Sequence, residues 1–214
     1  GANSVLQGHE NISGQINVLL KNPKEDERFL FNLYTNSFLE KQINLNYTKR
    51  IRKWNTLTSF HIANPGNKID SDNDDFLDMP LIKRYSIYNK WVYGEKEEWG
   101  LNSTLGLRYT NENRIGGQTN FNPETDKGTN NAYGHVINFS QPELYSDIEY
   151  IFDNKKSLSL QSSINKQKQE SYFGTTSYKA DQNEIYAKIQ YSINWKENHN
   201  LKTFINYKNL KINE

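Results

Sequence analysis

The densest group of potential ligands in this 214-residue chain is Asp70-Ser71-Asp72-Asn73-Asp74-Asp75-Phe76-Leu77-Asp78. Asp70, Asp72, Asp74 and Asp78 fall at positions 1, 3, 5 and 9 of a calcium loop, in which oxygen ligands wrap a hard cation. Five carboxylates within nine residues repel one another, and a divalent cation relieves that repulsion. Two features depart from the pattern. Asp75 stands where a turn-forming glycine is usual, and no Glu follows at position 12. Structural Ca2+ is therefore the expected cofactor, with a solvated acidic loop holding no ion as the alternative.

Other chemistry is sparse. Thr110–Glu143 is the longest stretch without periodicity of its own and carries Arg114, Gly116, Gly117, Gln118, Phe121, Tyr133 and His135. Loops of more than about 15 residues are usually functional or disordered. Tyr172 and Phe173 lie in a third such stretch, Gln167–Gln182. His9, His61, His135 and His199 are scattered, none spaced as a metal pair. The absence of cysteine excludes disulfides, thiolate zinc sites and cysteine nucleophiles. There is no GxSxG or HExxH motif and no convincing carboxylate pair, so an enzyme is not expected. A net charge of +1 provides no strong overall field to draw the chain onto nucleic acid or acidic lipid.

The elements that would position these groups read as strands. Apolar residues alternate with polar ones along Trp99–Tyr109, Ile185–Trp195, Leu201–Lys208 and Ile43–Thr48. Weaker runs are Phe29–Asn36, Trp54–Ala63, Tyr85–Tyr93, Leu144–Phe152 and Leu158–Lys166. These make about nine strands of roughly 8–11 residues, close to the length that spans a bilayer and longer than soluble strands average. Mean hydropathy is −0.92, yet 13% of residues are aromatic, a combination that suits a β-barrel with one lipid-facing and one hydrated face. Short charged turns at Lys49–Lys53, Gly94–Glu98, Asp153–Lys156 and Lys196–Asn200 alternate with long polar loops at Asn64–Lys83, Thr110–Glu143 and Gln167–Gln182. An up-and-down sheet would place all the turns at one rim and all the loops at the other, as outer-membrane barrels do. Trp54, Trp91, Trp99 and Trp195 adjoin the short turns, where an interfacial aromatic girdle would lie.

Residues 1–25 do not follow this pattern. Ser4-Val5-Leu6-Gln7-Gly8 and Ile12-Ser13-Gly14-Gln15-Ile16-Asn17-Val18 resemble the end of the plug domain of TonB-dependent outer-membrane receptors. Asp78-Met79-Pro80-Leu81, Leu105-Gly106-Leu107-Arg108-Tyr109 and Arg114-Ile115-Gly116-Gly117-Gln118 resemble segments of Bacteroidetes members of that family. The resemblance implies a plug inside a barrel of about 22 strands in the outer membrane of a Gram-negative bacterium. Residues 1–25 would close the plug, and residues 26–214 would be the first portion of the barrel, an all-β antiparallel meander. The chain begins Gly1-Ala2-Asn3 without an initiator Met and stops just after a strand-like run, so an excerpt of a longer protein is expected. The implied function is active uptake of a scarce nutrient, foremost a ferric siderophore-type chelate, with cobalamin or haem behind it. The implied partners are the TonB energy-coupling complex, contacted through plug regions not present here, and outer-membrane lipid. Extracellular loops form the ligand vestibule in this family, which makes Arg114, Tyr133 and His135 the candidate ligand contacts. The competing expectation is a non-transporting structural or adhesive surface β-protein with a calcium-stabilised loop.

Overall fold

The computed structural model describes residues 21–94, 99–196 and 199–214. The plug-like motif between Ser4 and Val18, and His9 with it, lies outside the described residues. Alternation resolves into nine strands: β1 (Phe29–Thr35), β2 (Lys41–Ile51), β3 (Trp54–Asn64), β4 (Leu81–Tyr93), β5 (Gly100–Gly117), β6 (Gly134–Asp153), β7 (Lys156–Phe173), β8 (Thr176–Lys196) and β9 (His199–Asn213). Each pairs antiparallel with its successor in a single sheet ordered β1 to β9. The sheet is not closed into a barrel: β1 and β9 are its edges, and among the described residues each strand contacts only its neighbours in sequence.

Two expectations need correction. Strands β5 to β8 run for 18, 20, 18 and 21 residues, well beyond the expected span. The stretch Gln167–Gln182 is not a loop but a continuous hairpin ladder, in which Gln167 pairs with Gln182 and Phe173 with Thr176. Gly174 occupies the first central position of the two-residue turn at a φ of 59°, where type II′ hairpins take glycine. The physical reason is that this part of the ladder is polar on both faces. Lys166, Lys168 and Glu170 line one side and Gln167, Gln169 and Ser171 the other, so hydrophobicity has no period of two to detect. β5, polar on both faces from Thr110 to Arg114, and β6 likewise extend into Thr110–Glu143, leaving only residues 118–133 as a connection.

The register sorts the side chains onto two faces of opposite character. On one face lie Phe31, Leu45, Phe60, Ile87, Leu105, Leu107, Leu144, Ile148, Leu160, Ile164, Ile185, Ile189 and Ile205. Nearly all of these are exposed, with Ile189 at 54% and Ile205 at 80% of full accessibility. The other face carries Asn44, Asn46, Ser59, His61, Arg84, Arg108, Glu112, Gln141, Glu143, Gln161 and Asn165. Side-chain hydrogen bonds cross the strands there, as between His61 and Asn44 at 2.7 Å and between the Tyr88 and Tyr145 hydroxyls at 2.5 Å. Gly106 makes room for this pair, because a Cβ there would lie 2.1 Å from the Tyr145 ring. Among the described residues the buried hydrophobic side chains are few: Leu57 and Ala63 on β3, and a cluster of Phe121, Ala132 and Val136, packed with Ile115 where the 118–133 connection folds over the end of β5 and β6.

The chain enters β1 from the polar side. Lys90 donates to the Lys21 carbonyl at 3.2 Å, the Thr48 hydroxyl donates to the Glu27 carbonyl at 3.2 Å, and Pro23 is buried. Lys90 and Thr48 both belong to the polar face, so residues 21–28 cross that face near the short-turn rim.

Candidate functional site at the loop rim

The connections at the end of the sheet opposite the short turns are knitted together by backbone hydrogen bonds. The amide of Asn67 donates to the Phe38 carbonyl at 2.7 Å, joining the β3–β4 connection to the β1–β2 turn. Leu77 donates to Gly117 and Thr119 to Asp75, at 2.9 and 2.8 Å, joining the acidic segment to the β5–β6 connection. Gly128 donates to Gly174 at 3.2 Å, and the Lys127 ammonium stands 4.4 Å from the centre of the Tyr172 ring, extending the surface to the β7–β8 hairpin. The rim from β1 to β8 is therefore one continuous surface rather than separate loops.

Within it, Asp70, Asp72 and Asp78 converge, each offering a carboxylate oxygen within 4.8 Å of the others. This exposed triad could bind a metal ion. Local hydrogen bonds shape it. Asp70 accepts the amides of Asp74 and Asp75 at 3.1 and 3.0 Å, while Asp78 accepts the Ser71 amide at 3.0 Å and its hydroxyl at 2.6 Å. Asp74 does not join the group; its carboxylate turns back to accept the Phe76 amide at 2.8 Å. The backbone adopts positive φ at Asn73 (59°) and Asp75 (68°), so Asp75 takes up the left-handed turn usually assigned to glycine.

Arg114 and His135 are brought together, whereas Tyr133 is set apart. Arg114 extends along the polar face and donates to Glu112 at 2.7 Å. Arg84, from β4, donates to the other oxygen of the same carboxylate at 2.5 Å. Burial opposes ionisation of Glu112, but the hydrogen bonds from Arg84 and Arg114 outweigh it and hold the carboxyl below its ordinary range. His135 lies across Gly116, where a Cβ would meet the imidazole at 2.3 Å, and it stacks with Phe173 at 6.2 Å. Partial burial first, and the Arg114 charge second, lower its pKa and so favour the neutral imidazole. Tyr133 instead faces the acidic segment, its ring 6.3 Å from that of Phe76.

Sequence reasoning missed the charged row Arg84–Glu112–Arg114 and the ion pair between Arg108 and Glu143. Parity would have found them had Thr110–Glu143 been read as strand, since all five residues fall on the polar face. The row places two cations around one anion on the polar face. Comparison with protein-family profiles, with curated proteins and with solved structures finds no match for this chain.

Proposed function

We propose that the chain is the first barrel portion of an outer-membrane receptor that takes up a scarce nutrient, with a ferric siderophore-type chelate as the leading ligand. The observation that carries this reading is the sheet's pair of faces. A soluble protein covers a continuous apolar face, whereas this one leaves it exposed across nine strands. The boundaries of that face support a membrane in three further ways. Along β5 the apolar run from Leu101 to Tyr109 is nine residues, about 30 Å of strand; tilted by about 40° it spans about 23 Å, near the apolar height of outer-membrane barrels.

The upper boundary is also staggered. Tyr85 shares a row with Asn111, Ser140, Lys168, Asp181 and Asn213, so its row reaches β9 six residues beyond Tyr207, where the apolar run of that strand ends. A drift of six residues over five strand steps is about 20 Å along the strands for about 24 Å across them, a tilt of about 40°. Membrane barrels tilt their strands by just such an angle. Trp54, Trp91 and Tyr93 cluster at the short-turn boundary, with ring centroids 4.9 and 6.2 Å apart, as an interfacial girdle would.

On this reading residues 21–28 bring the chain out of a plug on the hydrated side, and Arg84, Arg114 and His135 line the approach to the vestibule, with Tyr133 beside the acidic loop. Ca2+ bound by Asp70, Asp72 and Asp78 would stiffen the rim, at an affinity on the order of 10⁻⁴–10⁻³ M, typical of extracellular sites. Asp72→Asn is expected to abolish calcium-dependent protection of residues 65–80 from proteolysis. Asp74→Asn, which alters only the turn bonded to Phe76, should retain it. Equal calcium response in wild type and Asp72→Asn would remove the metal from the account.

The function is tested with the full-length protein in a Gram-negative host. Recovery in the outer-membrane fraction and energy-dependent uptake of an iron chelate, lost on deletion, are expected. Recovery as a soluble protein, or uptake unchanged by deletion, would overturn the proposal.

A further inference from the structure

We propose that Lys166, Lys168 and Lys211 form a docking surface for the phosphate-bearing headgroup of a membrane lipid. The inference rests on the membrane reading above but concerns the outer, lipid-side surface rather than the vestibule. The register places these lysines on the same face as the apolar side chains and just beyond the end of the apolar run, Lys211 one polar position further past the run of its own strand than Lys166. Lys166 and Lys168 take the next two alternate positions after Ile164 on β7, and Lys211 takes the second alternate position after Tyr207 on β9, beyond Asn209. Lys166, Asn183 and Lys211 share one row, so the two ammonium stems rise two strands apart, about 10 Å.

All three lysines are exposed. Among the described residues neither Lys166 nor Lys211 has an ion-pair partner, and Lys168 has only Asp181, at 4.0 Å. The remaining acid of this patch, Glu170, is engaged by Lys179 at 2.8 Å. Three cations over one weakly engaged carboxylate therefore stand at the height where lipid headgroups would meet the sheet. Long apolar stems lying on the apolar face with the charge held above it are the arrangement that lysine adopts at an interface. Lys83 occupies the matching position on β4, just beyond Tyr85 on the same face, with its ammonium 5.7 Å from the centre of that ring. Charge complementarity selects an anionic headgroup over a zwitterionic one, because each lysine near the surface strengthens that attraction about fivefold.

The test places the full-length protein in phosphatidylcholine vesicles containing spin-labelled phosphatidylglycerol or spin-labelled phosphatidylcholine and measures the motionally restricted fraction of each label. A preference for phosphatidylglycerol of about fivefold or more is expected, weakened in molar salt. It should fall by at least about fivefold in Lys166→Gln/Lys168→Gln/Lys211→Gln and persist in the corresponding triple arginine variant. Insertion with no headgroup preference, or a preference unchanged in the glutamine variant, overturns this proposal alone. Failure of the protein to enter the vesicles overturns the membrane reading and this proposal together.

Discussion

Arginine at Ile189 is expected to destabilise the membrane-inserted sheet by about 2–4 kcal/mol, whereas arginine at the adjoining Gln190 leaves it almost unchanged. Ile189 lies midway along the apolar run of β8, paired with Leu160 on one side and Ile205 on the other. A charge there must sit in hydrocarbon or drag headgroups and water towards it. Gln190 points to the opposite face, beside Ser159 and Phe204, and donates to the Ser192 hydroxyl at 3.2 Å. An arginine at that position stays hydrated. Denaturant unfolding of both variants in vesicles measures the difference. The comparison is decisive because Ile189 is already exposed: on a soluble sheet both substitutions alter a solvated surface and should each fall within about 0.5 kcal/mol. Two small and equal effects would favour the structural or adhesive β-protein over the receptor.

The second large effect is expected at Gly117. Its φ of 114° is one that residues with a side chain rarely adopt, and an added Cβ would lie 2.4 Å from Gly134 Cα and 2.5 Å from the Tyr133 carbonyl oxygen. Both obstacles are backbone, so neither can swing aside. The strain alone is worth about 1–3 kcal/mol, and relieving the collision requires β5 and β6 to part at their ends. Gly117 also accepts the Leu77 amide, and Phe76 bridges to Gln118 next to it. Gly117→Ala should therefore release the acidic segment and the 118–133 connection together, exposing both to limited proteolysis while the strands stay protected. Gly128→Ala is the control: its φ of 78° is also unfavourable, but a Cβ there meets nothing within 4 Å. Independent release of the two segments in Gly117→Ala would show that the rim is not one unit.

Much of the architecture was legible in the chain because one physical signal, hydrophobic alternation, persists wherever one face is apolar. It located all nine strands, and Trp99–Tyr109 and Ile185–Trp195 lie within one residue of β5 and β8 or inside them. The signal disappears where Lys166 opposes Asn183 and Gln167 opposes Gln182, since a ladder wet on both sides satisfies its backbone without any hydrophobic pattern. The third long loop was misread there. In the acidic segment, the spacing identified the carboxylates but not which of them converge. Asp74 departs from the triad because its oxygen is nearest its own turn, a matter of backbone conformation at Asn73 and Asp75 rather than of spacing.

The amino-acid order by itself thus determined the class of fold, the strand sequence and the segregation of apolar from polar side chains, because these depend on a local period of two. The tertiary structure alone decided what depends on register: the row of Arg84, Glu112 and Arg114, the setting of His135 over Gly116 and the fusion of the rim connections. It also decided the stagger of the apolar boundary. Each arises between residues far apart in the chain, whose meeting is set by how many residues the intervening turns consume.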